Sequence, residues 1–230
     1  MGFEYIEKNV AEVRARIEAA SRLAGRDEPV MLLPAVKYAT AEEIDFLCHG
    51  LGIRQIGENR VQQMLEHMEQ MNCEGVEFHF IGTLQTNKVK YIVDKVSMIH
   101  SVDSLKLAQE IDKQARKRGL VVDILVEINS GAEESKSGVM PEEAEALCLA
   151  IRELEGIRHR GFMTMAPKCE KKEEYLKYFG QTYAQVLDIW TKKLHNIGRP
   201  VISMGMSDSF EQAIECGSDI VRVGRSLFVK

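Results

Sequence analysis

Eight short apolar runs alternate with helical patterns along this chain, and no Asn-Gly or Asp-Gly pair lies between any two of them to make a hairpin. Strands without a tight turn between them need crossover connections, and a crossover helix returns the chain in parallel. The runs fall at 30–36, 53–56, 78–81, 96–100, 121–128, 157–165, 201–204 and 220–223. Such an array closes into a barrel or opens into a doubly wound sheet. The count of eight favours the barrel, as does a length of 230 residues, since barrels of this kind begin at roughly 200 residues. The expected fold class is α/β, a single (β/α)8 TIM barrel.

The intervening helices are legible from spacing and caps. Phe3, Ile6, Val10, Val13, Ile17 and Ala20 share one face of an extra N-terminal helix that Gly25 stops. Thr40 with Glu43, and Asp208 with Glu211, have the spacing of capping boxes, and Asp103 is placed to cap a helix running to Arg118. Tyr175, Phe179, Tyr183, Val186, Trp190 and Leu194 mark a long helix. No linker or low-complexity stretch interrupts the alternation. Residues 1–230 are expected to form one domain, with residues 1–25 packed outside the barrel or across its base.

Composition narrows the partners. A net charge of −5 argues against a general nucleic-acid or anionic-membrane surface, although it leaves room for one basic pocket. Cys48, Cys73, Cys148, Cys169 and Cys216 are scattered, with no C-x-x-C pair and no histidine at ligand spacing, so reduced thiols and no metal site are expected. No apolar run approaches the roughly 18 residues of a membrane span. The opening Met-Gly-Phe-Glu-Tyr-Ile-Glu-Lys lacks the apolar core of a secretory signal. The expectation is a cytoplasmic protein.

In a barrel the chemistry sits at the carboxyl ends of the strands. There the first run ends in Lys37, the second in Gly57-Glu58-Asn59-Arg60 and the third in Gly82-Thr83-Leu84-Gln85-Thr86-Asn87-Lys88. The seventh leads into Met204-Gly205-Met206-Ser207-Asp208-Ser209, the eighth into Gly224-Arg225-Ser226. Glycine and serine after strand seven and glycine after strand eight make a phosphate cup of free N–H groups at helix starts. Arg222 shares a strand face with Gly224, which turns its side chain into the barrel mouth. Blander roles exist for several of these residues. Ser207 or Asp208 can cap a helix, Asn59 with Gln62 fits a capping pair, and Gly224 can serve a turn. Arg222 is the hardest to explain so, because a buried guanidinium needs an acceptor. A ligand with a phosphate, a polar ring atom and an aldehyde would satisfy cup, arginine and lysine together. Pyridoxal 5′-phosphate (PLP) has all three, with the lysine as Schiff-base former. Lys37 must present a neutral amine to react, and burial at an apolar strand end beside Arg222 would favour that form. An arginine partner would also disfavour protonation of the pyridine nitrogen and so weaken the cofactor as an electron sink.

Six blocks resemble the pyridoxal-phosphate homeostasis proteins (the YggS/PROSC type), which share the barrel of the alanine racemase N-terminal domain. They are Leu33-Pro34-Ala35-Val36-Lys37, Ile56-Gly57-Glu58-Asn59-Arg60-Val61-Gln62, the stretch from Phe78 to Lys88, Lys136-Ser137-Gly138, Ser203-Met204-Gly205-Met206-Ser207-Asp208 and Val221-Arg222-Val223-Gly224. The resemblance implies PLP on Lys37, Asn59 beside the cofactor, Ser207, Gly224 and Arg225 at the phosphate, and Arg222 at the pyridine nitrogen. It implies a non-enzymatic protein that holds PLP and supports vitamin B6 and amino-acid homeostasis, with PLP-dependent apo-enzymes as conceivable recipients. Many members carry Ser or Thr where this chain has Val36, and Thr where it has Arg225; the second change removes a hydroxyl donor at the phosphate and offers a guanidinium instead.

Two catalytic alternatives stand beside this reading. An alanine racemase-like enzyme needs a second acid/base on the far face of the cofactor. In racemases of this fold it comes from a further β domain, which this chain is not expected to have. Tyr38 is expected to point away from Lys37, and His79 and His100 read more naturally as packed core groups. A Schiff-base aldolase or isomerase would need a neighbouring carboxylate, for which Glu58 is the evident candidate. Lys88 and Lys136 are conceivable transient carriers during transfer, against the plainer reading of solvated surface lysines. Without a dimerising second domain, a monomer is expected.

Overall fold

The computed structural model describes residues 2–131, 137–193 and 198–230. Its strands are β1 (Met31–Pro34), β2 (Gln55–Glu58), β3 (Glu77–Phe80), β4 (Met98–Val102), β5 (Val122–Ile128), β6 (Ile157–Thr164), β7 (Val201–Ser203) and β8 (Ile220–Val223). The helices are α1 (Glu4–Leu23), α2 (Ala41–Asp45), α3 (Val61–Gln70), α4 (Val89–Ile92), α5 (Leu105–Arg116), α6 (Ala144–Ile151), α7 (Lys172–Lys193), α8 (Phe210–Glu215) and α9 (Arg225–Phe228). Every pair of neighbouring strands is parallel, in the order β1-β8-β7-β6-β5-β4-β3-β2. The ring closes between its first two strands through a bridge from Ala35 to Gly57, with Val36 N–H donating to the Gly57 carbonyl at 3.0 Å. The fold is the expected (β/α)8 barrel.

Period-two alternation divides the apolar residues into two layers. Leu33, Ala35, Ile81 and Ile220 pack together inside the ring, with Met31 and Val201 against them. The larger layer, which includes Ile56, Phe80, Ile99, Val126, Phe162 and Val221, lies between sheet and helices. The N-terminal helix joins this outer layer. Ile6, Val10, Val13 and Ile17 are buried where α1 meets α8 and α9, and Asn9 Nδ2 donates to the carbonyls of Leu227 (3.2 Å) and Val229 (2.9 Å).

Several local expectations shift. Strand β2 runs two residues later than the apolar run suggests, so Gly57 and Glu58 lie within the sheet; β4 likewise extends through Ser101 and Val102. Thr40 and Glu43 form the expected capping box. Asp103 does not cap α5; the hydroxyl of Ser104 accepts from Leu107 N–H instead. Asp208 and Glu211 form no box either, because α8 starts only at Phe210 and Glu211 reaches outward to Arg16 Nε at 3.1 Å. Leu194, assigned to the long helix by its spacing, and Lys136 lie outside the described residues. Among the described residues no helix is long and apolar enough to cross a membrane.

Candidate functional site at the carboxyl end of the barrel

Strand β1 stops at Pro34, and after the Ala35 bridge the backbone turns at Lys37 and Tyr38. This overturns the burial expected for Lys37. Its side chain is exposed, because the lysine stands beyond the last ladder residue rather than within it. The expected divergence of Tyr38 fails for the same reason. Alternation applies only to extended backbone, and here Lys37 Nζ lies 4.9 Å from the Tyr38 ring centroid. The turn is held from outside by Gln63 Nε2, which donates to the Lys37 carbonyl at 3.0 Å.

Asn59 follows β2 directly. It caps nothing: α3 begins at Val61 after Arg60 with no side-chain cap, and Gln62 bonds to Glu66. Its Oδ1 is buried without a hydrogen-bond partner among the described residues, a costly arrangement unless a ligand or solvent donor meets it. Gly82 packs so tightly against this segment that a Cβ there would lie 2.1 Å from the Asn59 carbonyl oxygen.

Arg222 enters the ring from β8 and is 4% exposed. Nη1 donates to Ser203 Oγ at 2.7 Å and Nη2 to the Thr164 carbonyl at 2.8 Å, which supplies the acceptors that burial demands. Desolvation lowers its pKa to about 10, against the attraction of Glu127. Ser203 Oγ also lies 3.1 Å from His100 Nδ1, and His100 Nε2 lies 2.9 Å from His79 Nδ1. Both histidines are buried and kept neutral by desolvation, His79 down to about 4 and His100 well below its ordinary value. Glu127, buried at the end of β5, is pushed up to about 7 by desolvation, with Asp103 adding and Arg222 opposing.

The glycine loops after β7 and β8 close the opposite side. Gly205 has φ +93°, and its missing Cβ would lie 2.6 Å from Ala213 Cβ. Gly224 stands against β1, where a Cβ would lie 2.9 Å from the Ala35 carbonyl oxygen. The helices that follow have only six and four residues, so anion binding falls to loop N–H groups rather than to a long helix dipole. Ser207 is half-buried, and Arg225 spans the two loops with Nη1 3.7 Å from Asp208 Oδ2. A cavity of about 350 Å³ opens beside them, lined by Asn129, Met165, Met206, Ser209 and Arg225 among others. Thus Lys37, Asn59, Ser207, Arg222, Gly224 and Arg225 all stand at one end of the ring.

Lys88 lies on the short helix after β3, with Nζ 5.8 Å from the Tyr91 ring. Glu58, the candidate acid/base of an aldolase, turns away from the ring: it is fully buried, with Oε1 2.6 Å from His67 Nδ1 on α3. Sequence reasoning gave no role to Ser203, although it heads a family-matching block, and did not single out Thr164, Gln63 or His67. Only Ser203 carried a signal, an inward polar residue on the strand beside Arg222.

The model of the alanine racemase N-terminal domain matches residues 6–230. A pyridoxal phosphate homeostasis protein from Aquifex aeolicus is 40% identical over 221 residues, 96% of each chain. A solved structure of an unknown protein from Bifidobacterium adolescentis has a TM-score of 0.88 at 34% identity, covering 98% of this chain and 95% of that one. PipY of Synechococcus elongatus, solved with PLP bound, has a TM-score of 0.82 at 26% identity, covering 97% of this chain and 100% of that one. With this barrel and this extent of identity, the chain belongs to the pyridoxal phosphate homeostasis protein family, within the alanine racemase N-terminal domain family.

Proposed function

We propose that residues 1–230 act as one PLP-binding barrel, with residues 1–25 as its outer helix, and that Lys37 is the covalent attachment point. The observation that carries this reading is the gathering of an exposed lysine, a buried arginine and two tight glycine loops at one barrel end. PLP supplies an aldehyde for the Lys37 amine, a ring nitrogen and a phosphate. Arg222 has five N–H donors; one bond from each terminal nitrogen goes to Ser203 and Thr164, which leaves N–H groups for a ring acceptor. Asn59 Oδ1 is an acceptor awaiting a donor. Ser207, the Gly224 and Arg225 backbone and the Arg225 guanidinium would take the phosphate. The PLP-bound relative PipY supports the same cofactor here.

The chain's other groups favour holding over turnover. Arg222 stays cationic at neutral pH and resists sharing a proton with the ring nitrogen. His79 and His100 are neutral and occupied with each other and Ser203, and Glu58 faces away from the ring with its Oε1 bonded to His67. The role that follows is storage or delivery of PLP in the cytoplasm, by a monomer, to PLP-dependent apo-enzymes. Titration of the protein with PLP tests this: a yellow band that borohydride abolishes, with the adduct mapped to Lys37, is expected. A protein that takes up no PLP refutes the reading, and amino-acid racemisation at enzyme-like rates refutes its non-catalytic half.

A further inference from the structure

Two hydrogen bonds close the loop after β7 into a turn. Met206 N–H donates to Ser209 Oγ at 3.2 Å, and Ser209 N–H donates to the Met206 carbonyl at 2.9 Å. Ser207 and Asp208 are the two residues at its tip, so the Asp208 carboxylate is carried on the same turn as the serine assigned to the phosphate. Arg225, the first residue of α9, reaches back to this turn, with Nη1 3.7 Å from Asp208 Oδ2. Asp208, Ser209 and Arg225 line the cavity of about 350 Å³ beside the loops, with Lys168 as a further cation on its wall.

An aspartate beside a phosphate-binding arginine acts in one of two opposite ways. A close, two-point pair would aim the guanidinium at the ligand and strengthen binding. A loose pair only adds negative charge where a second anion must sit. Here the contact is too long for a hydrogen bond, and the two side chains are 72% and 68% exposed. Such a pair holds no fixed geometry. What remains is charge: one guanidinium faces a carboxylate and a phosphate that is close to dianionic at neutral pH.

We propose that Asp208 is an affinity-determining residue of the phosphate site, a resident anion that competes with the phosphate for Arg225 and so favours release. Without ligand the guanidinium rests against Asp208. A phosphate at Ser207 draws it away, and the carboxylate takes it back as the phosphate departs. The site therefore holds PLP less tightly than its donors alone would, which suits a protein that gives PLP up. The assignment rests on the reading of these loops as the PLP phosphate site.

Inorganic phosphate, titrated into the PLP-free protein at low ionic strength and followed by calorimetry, reads the competition without the Lys37 adduct. Asp208→Asn should bind it up to about fivefold more tightly than wild type, the range of an exposed ion pair. Asp208→Glu, which keeps the charge, should show no such gain. In an Arg225→Gln background phosphate should bind more weakly, and the gain from Asp208→Asn should shrink because the contested cation is gone. Titration of the yellow band should show the gain for PLP and none for pyridoxal, which lacks the phosphate. About 0.5 M salt should largely erase it. Both side chains are exposed, so the variants should melt with wild type. Unchanged or weaker phosphate binding in Asp208→Asn overturns the proposal, the second outcome making the carboxylate a support for Arg225. So does an equal gain in the Arg225→Gln background, or a gain shared by pyridoxal. A wild-type protein that shows the competition for phosphate but forms no adduct at Lys37 would strike the proposed attachment and leave the competition standing. One that binds neither phosphate nor PLP overturns both.

Discussion

Arg222 and Ser203 lie on the neighbouring strands β8 and β7 inside the barrel, with Nη1 donating to the serine hydroxyl at 2.7 Å. That bond sets a direction for the polar chain behind it. With the guanidinium as donor, the serine proton is free to turn to His100 Nδ1; His100 then carries its own proton on Nε2, toward His79 Nδ1. Three strands thereby orient one buried cation, and the histidines serve it as neutral groups.

Removing the hydroxyl should be felt at both ends of this chain. Ser203→Ala leaves a buried guanidinium donor and His100 Nδ1 unpaired, at a cost of about 1–3 kcal/mol. Urea unfolding should show that loss, and the absorption band of bound PLP should move because Arg222 is freed. Ser203→Thr, which keeps the hydroxyl, should restore the band. Unchanged stability and spectrum in Ser203→Ala would contradict the orientation argument.

Lys37→Ala should separate binding from folding. The side chain is exposed and makes no ion pair among the described residues, so the unfolding free energy should stay within about 0.5 kcal/mol of wild type. PLP fixed covalently to the protein by borohydride reduction should vanish. Mass spectrometry of the reduced protein reads the second outcome, and denaturant melts the first.

Glycine substitutions should differ in sign by position. Gly205→Ala combines φ +93° with a contact of 2.6 Å to Ala213 Cβ and should cost roughly 1–3 kcal/mol. It should also weaken retention of PLP through the loop it deforms. Gly180→Ala lies inside α7 with nothing within 4 Å of the new methyl, and should stabilise by about 0.5–1 kcal/mol. Equal effects at the two sites would show that the loop around Gly205 has room to relax.

Stability should fall toward both ends of the pH scale. Burial raises Glu127 to about 7 in the folded protein, so its contribution is complete below the ordinary carboxylate range and is lost as pH rises through 7. The difference is on the order of 3 kcal/mol. Glu127→Gln should therefore unfold at the same midpoint as wild type near pH 4 and at a higher one near pH 9. At the acid end the sign reverses. His79 and His159, both lowered by desolvation to about 4, contribute stability that is present above 6.5 and lost as pH falls through 4. Guanidinium midpoints measured between pH 4 and 6.5 should fall less steeply in His79→Gln. Parallel curves for variant and wild type would count against either assignment.

The sequence alone determined the alternation of strands and helices, and with it the barrel. Hydrophobic period and turn chemistry are local properties, written within a few residues of where they act. Parallel strands also place all their carboxyl ends on one side, so Lys37, Asn59, Ser207, Arg222, Gly224 and Arg225 were assignable to one rim from order along the chain. The tertiary structure decided what depends on distant neighbours meeting. Whether Lys37 lies inside the ladder or on a turn beyond it depends on how far β1 pairs with β2 and β8. Cap positions near Asp103 and Asp208 depend on where each helix can dock, which moved the starts to Leu105 and Phe210. The partners of Arg222 come from residues 19 and 58 positions away. The bond from Gln63 to the Lys37 carbonyl joins helix to turn, and that between His67 and Glu58 joins helix to strand. No local pattern encodes such contacts, because they exist only once the ring has closed.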